Sequence, residues 1–137
     1  MKTQKVNMKK EYEDNFKKAL ANCEPKDKKR FTFFRDALAF YGEENEIKMT
    51  LEEMSELMKA LLKYIRVAEY GLTDEGRAKI EKSKQDIKEE IADIYCTVDQ
   101  LKIMFGADEI DKIVDEKIER ATKILEELKA KKGGGNA

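Results

Sequence analysis

The sequence predicts an all-α fold, a bundle of four to five helices, and three observations carry that prediction. Apolar residues recur at three- and four-residue spacing along most of the chain, and nowhere with the period of two that marks a strand. Of the 137 residues, 42% are charged and 41% hydrophobic, which suits helices with narrow apolar stripes and wide solvated faces. The single proline and the glycines fall between the periodic segments rather than inside them.

The elements follow in order. Residues 9–23 space Tyr12, Phe16, Leu20 and Cys23 along one helix face, and Pro25 ends that segment. A second helix over 27–41 carries Phe31, Phe34, Leu38 and Tyr41, and Gly42 closes or kinks it. The third has the clearest period, with Ile47, Met54, Leu57, Met58, Leu61 and Ile65 on one broad face, and Gly71 stops it. Thr50 to Glu53 has the form of a capping box. Because Ile47 and Leu51 keep the same phase, the helix is expected to run already from about Glu44. Residues 72–76 form the turn. A fourth helix uses Ile80, Ile87, Ile91, Ile94, Val98 and Leu101 and ends at Gly106. Asp108 caps a fifth, bearing Ile110, Ile113, Val114, Ile118, Ile124, Leu125 and Leu128. The expected organisation is a basic helical segment over 1–24, a helical domain over 25–132, and a disordered tail over 133–137.

Composition excludes several functions. The net charge is −1, which argues against charge-driven binding to nucleic acid or anionic lipid, although ten of the basic residues and only five acidic ones lie in residues 1–30. A solvated helix accounts for that basic start. No apolar run reaches the roughly 20 residues of a membrane span, and no apolar leader precedes the first helix. Cys23 and Cys96 form no framework and are expected to be free thiols in a cytoplasmic protein. There is no histidine, which removes Ser-His and Cys-His catalysis, imidazole metal sites and the Glu-x-x-His di-iron bundle. A metal site here must use oxygen ligands, which favour Mg²⁺, Mn²⁺ or Ca²⁺ over Zn²⁺.

Two short patterns supply such ligands. Glu53 and Glu56 are three apart on the third helix, and Glu90 and Asp93 are three apart on the fourth, so each pair lies on one helix face. With the two helices paired antiparallel about residues 72–73, Glu56 lies 16 residues before the turn and Glu90 17 after it. Glu53 and Asp93 lie 19 and 20 away. At about 1.5 Å per residue, the cross-helix pairs are level within a few ångströms. Four converging carboxylates repel one another and lose hydration, and a hard divalent cation relieves both conflicts. Two such ions could activate a water and hold a phosphate leaving group. The alternative is plain: Glu is common on helix surfaces, and an E-x-x-E pair alone is often no more than a solvated face.

The stretches Tyr41 to Asn45, Glu52 to Leu57 and Glu89 to Ile94 resemble the MazG-like all-α nucleoside triphosphate pyrophosphohydrolases. The likeness is to small single-domain members, of a kind often found in phages and Gram-positive bacteria, and it covers roughly residues 31–128. The resemblance implies Mg²⁺, with Mn²⁺ as a possible substitute, held by Glu53, Glu56, Glu90 and Asp93. It implies hydrolysis of a nucleoside triphosphate between the α and β phosphates, with one carboxylate, Glu56 in our assignment, taking a proton. It also implies a bundle completed by a second subunit, as a homodimer or homotetramer. The segment Asp115 to Arg120 is similar to the family's phosphate-contacting helix, making Lys117 and Arg120 candidates, with solvated charges as the alternative. The 33 residues between Glu56 and Glu90 are on the long side for the family.

Lys63, two turns after Glu56, shares the carboxylate face and could reach a phosphate, or could be a surface charge. Phe33, Phe34, Phe40 and Tyr41 could stack on a base, although an aromatic stripe at helical spacing is more often core. Cys96, off the main stripe, is expected to pack on a neighbouring helix. Two other functions fit the same residues: a phosphoribosyl-ATP pyrophosphatase of the same superfamily, and a non-catalytic helical adaptor for protein or nucleic acid.

Overall fold

A computed structural model describes residues 9–134, and these are almost wholly helical, with no strand among them. The order is α1 (Lys10–Asn22), a 3-10 turn (Pro25–Asp27), α2 (Lys28–Tyr41), α3 (Glu43–Ala68), α4 (Asp74–Phe105) and α5 (Ala107–Gly134). Residues 1–8, the start of the expected N-terminal segment, and 135–137, the end of the expected tail, lie outside the described residues. Gly133 and Gly134 continue α5.

The core gathers around the C-terminal end of α4. Tyr12, Phe16 and Ala19 of α1, Phe31, Phe34 and Leu38 of α2, Ile103 and Met104 of α4 and Ala107 of α5 are buried together, with Ile47 and Leu101 packed against them. Each large apolar side chain there contributes roughly 1.5–3 kcal/mol relative to exposure. Polar ties set the angles between helices. Asn15 Nδ2 donates to the Met104 carbonyl at 3.3 Å, occupying one of the acceptors that a helix end leaves open. The Arg30 guanidinium meets the buried Asp99 carboxylate at 2.9 Å, and Arg35 stacks 4.7 Å from the centre of the Phe16 ring.

Away from this core, α3 and α4 pack chiefly against each other as a long antiparallel hairpin. As expected, α3 starts well before Thr50, whose hydroxyl donates to the Glu46 carbonyl at 2.9 Å inside the helix. The hairpin turn lies three residues earlier than the sequence suggests, at 69–73. Thr73 is the N-cap of α4, its hydroxyl accepting the Gly76 N–H at 2.9 Å, so Gly76 belongs to the first turn of the helix. Glycine is needed there for room: a Cβ on Gly76 would collide with the carbonyl oxygen of Tyr70. Gly76→Ala is therefore expected to lower the denaturation midpoint, by about 1–3 kcal/mol for an overpacked backbone contact. An unchanged midpoint in urea would refute that reading of the turn.

α5 also starts one residue earlier than its expected cap. Gly106, at φ 101°, is the whole connection between α4 and α5, and its N–H closes α4 on the Lys102 carbonyl at 2.9 Å. Asp108 sits instead in the first turn of α5, where it accepts from Asn22 Nδ2 at 3.1 Å.

The apolar stripes are where helix and core part company. Met54, Met58, Leu61 and Ile65 of α3 are exposed, as are Ile113, Val114, Ile118, Ile124, Leu125 and Leu128 of α5. Ala107 is the one buried residue of α5, and every described residue after Ile110 is exposed. Phe34 is core, whereas Phe33, Phe40, Tyr41 and Cys96 are exposed. No helix among the described residues is long and apolar enough to cross a membrane.

Candidate functional site

The α3–α4 hairpin brings carboxylates from both helices to one place. One oxygen each from Glu53, Glu90 and Asp93 lie within 4.8 Å of one another. Glu53 and Glu90 are half-buried and Asp93 is exposed, so the cluster sits at the edge of the helix interface rather than inside it. Glu56, one turn further along α3, is outside this close set. Its Oε1 accepts from Lys59 Nζ at 3.1 Å, and its charge still reaches Glu90 and Glu53.

The cluster is electrostatically loaded. Loss of hydration, and then the charge of Asp93, push both the Glu53 and Glu90 carboxyls above their ordinary value of 4.5. Ionised, such a group seeks a cation. The donor set is all oxygen, drawn from two rigid helices and open on one side, which fits a hard divalent ion that keeps waters of its own.

Two cavities meet at these carboxylates. One, of about 380 Å³, lies along the hairpin toward its turn and includes Glu56 and Glu90 in its wall. Lys59, Lys63 and Arg66 of α3 line it too, at spacings that keep them on one helix face. Ala60 of α3 and Ser83, Asp86 and Glu89 of α4 complete it, so four carboxylates stand beside the three cations. Ser83 is 2% exposed, and its hydroxyl has no hydrogen-bond partner among the described residues. The second cavity, of about 460 Å³, lies between α2, α3 and α4 and includes Glu53 and Asp93. Its wall is mostly apolar and aromatic, with Phe33, Phe34, Tyr41, Met49 and Cys96, and holds three buried polar side chains, Glu46, Thr97 and Gln100.

The expected phosphate ligands divide. Lys63 stands in the groove beside Glu56 and Glu90. Lys117 and Arg120 do not come near them within one chain. α5 packs on α1 and α4 and not on α3, and its tie at Asp111 to Lys102, 2.8 Å, precedes both residues. The reason is mechanical: a single-residue joint at Gly106 sends α5 away from the hairpin instead of back along it. Lys59 and Arg66 went unnoticed in the sequence, although their spacing from Lys63 was a readable signal. Nothing in the sequence marked Gln100 or Glu46.

Comparison of the chain with known protein families, with curated proteins and with solved structures finds no match.

Proposed function

We propose that the protein is a Mg²⁺-dependent nucleoside triphosphate pyrophosphohydrolase of the MazG-like kind, acting in the cytoplasm and releasing a monophosphate and pyrophosphate. One observation carries the reading: Glu53, Glu90 and Asp93 converge between an aromatic cavity and a groove that sets Lys59, Lys63 and Arg66 among four carboxylates. A nucleoside triphosphate has the matching polarity, with a planar apolar end, a metal-binding middle and a polyanionic tail.

In this reading Glu53, Glu90 and Asp93 hold Mg²⁺, or Mn²⁺ in its place, with Glu56 at the margin. The metal supplies Lewis-acid polarisation of the phosphate and activation of water. Lys59, Lys63 and Arg66 bind the departing pyrophosphate and offset its charge, and the Ser83 hydroxyl donates to one of its oxygens. Glu56 accepts the proton of the attacking water. Its distance from the close set leaves it free for that task, and Lys59 holds its carboxylate in place.

The reading includes a homodimer or homotetramer. A second copy would cover the exposed stripes of α3 and α5, and would be the means by which Lys117 and Arg120 approach a substrate phosphate. The exposed α5 face also favours the alternative, a non-catalytic helical adaptor. Pyrophosphate release from a panel of canonical, deoxy and modified triphosphates, and from phosphoribosyl-ATP, separates the readings. Release that requires Mg²⁺ and stops with EDTA is the expected result. A folded protein that hydrolyses none of them would leave the adaptor standing.

A further inference from the structure

The aromatic cavity has features that a hydrophobic seam between helices does not need. Gln100 is 7% exposed, yet its Nε2 has no hydrogen-bond partner among the described residues. Glu46 is 3% exposed and forms no ion pair among them. Burial pushes its carboxyl above the ordinary 4.5. A buried amide N–H without a partner is rare in native proteins, and a cavity of this size is ordinary for a small-molecule site. Both groups line the same space, and Phe33 and Tyr41 flank it while remaining exposed.

We infer that this cavity is a nucleobase pocket, in which Gln100 donates a hydrogen bond to the base and Glu46 accepts one from it. The inference rests on the nucleotide reading of the carboxylate cluster and adds where the base lies and what reads it. A base is planar and stacks on an aromatic ring, which Phe33 and Tyr41 offer. Its hydrogen-bonding edge carries an acceptor beside an N–H donor, the complement of an amide N–H beside a carboxylate. The position agrees: Glu53 and Asp93 belong to both the pocket and the cluster, so a base seated here delivers its phosphates to the carboxylates, with the groove that holds Lys59, Lys63 and Arg66 beyond. A pocket built to hydrogen-bond a base discriminates against ligands that lack one, because its own polar groups then stay buried and unpaired.

The test compares α,β-methylene nucleoside triphosphates with inorganic tripolyphosphate, which has the tail and no base. Binding is measured by calorimetry with Mg²⁺ on the full chain and on Gln100→Leu and Glu46→Gln. Wild type should bind at least one nucleotide about tenfold or more tighter than tripolyphosphate, the worth of one or two hydrogen bonds. Each variant should lose about tenfold on that nucleotide and nothing on tripolyphosphate. Unchanged tripolyphosphate binding also shows that the variant is folded, and if Gln100→Leu fails to fold, Glu46→Gln decides alone. Equal binding of nucleotide and tripolyphosphate by wild type, no binding of either, or a base preference that survives the variants would overturn the pocket. Hydrolysis without base preference defeats the pocket and spares the enzyme. Base-selective binding with no hydrolysis of any triphosphate does the reverse.

Discussion

Glu53→Gln and Glu90→Gln are each expected to reduce pyrophosphate release by about 10²-fold or more while leaving helix content intact. A metal ion in such a site supplies several kcal/mol of charge stabilisation, and each 1.4 kcal/mol is about tenfold in rate. Glutamine keeps the shape and removes the charge, so a folding defect is not the expected cause. The same carboxylates give the protein a pH signature. Their folded-state pKa values are raised, so protonation is favoured by folding. Their contribution is fully present below the ordinary value near 4.5 and is lost as pH rises through the raised values. Mg²⁺ binding to the ionised cluster opposes that loss. The melting-temperature difference between Mg²⁺ and EDTA should therefore widen as pH climbs from about 4.5 toward neutrality, and shrink in either variant. Glu43 and Glu81, lowered by Lys9 and Lys84, act in the opposite sense, but they lie outside the cluster and cancel in the difference. Full activity in both variants, or a Mg²⁺ shift that they leave untouched, would remove these residues from the site.

A second large effect is expected from charge on the exposed stripes. Leu61→Asp with Ile65→Asp in α3, or Ile118→Asp with Leu125→Asp in α5, should convert an oligomer to a monomer in light scattering. In the single chain these apolar side chains face solvent, in a pattern too continuous for scattered surface residues. Burying each is worth roughly 1.5–3 kcal/mol, and in a two-fold interface every substitution occurs twice. The α5 variant should also lose helical signal, since a helix without a packed face depends on its partner for stability. A wild-type protein that runs as a monomer at every concentration tested would end the interface proposal.

Hydrophobic period carried most of the fold, because a stripe at helical spacing is a local property. It placed α1 to α5 and let residue counting across the hairpin set Glu53 level with Asp93. The same argument fell short at Glu56. Glu90 and Asp93 are three apart and both join the close set, whereas Glu56, at the same spacing from Glu53, turns to Lys59, so the spacing alone does not decide which members converge. Periodicity reports which face is apolar and is silent about what covers it, so it could not say whether the stripe of α5 packs within one chain, where it stands exposed. Within one chain Lys117 and Arg120 lie away from the carboxylates for a related reason: the direction in which α5 leaves Gly106 is set by one residue's backbone, which no pattern of side chains encodes. Gln100 and Glu46 were illegible because a polar residue near an apolar stripe looks like its neighbours until the cavity between three helices is known.

The meeting of two cavities at one set of carboxylates has a kinetic meaning under the proposed reaction. The bond that breaks would lie at the boundary, so each product would be left in a compartment of its own: the monophosphate with its base in the aromatic cavity, and pyrophosphate among Lys59, Lys63 and Arg66. Neither would have to leave before the other. Both would compete with substrate without competing with each other, so a cell rich in one product would slow the enzyme while the second product could still bind beside it.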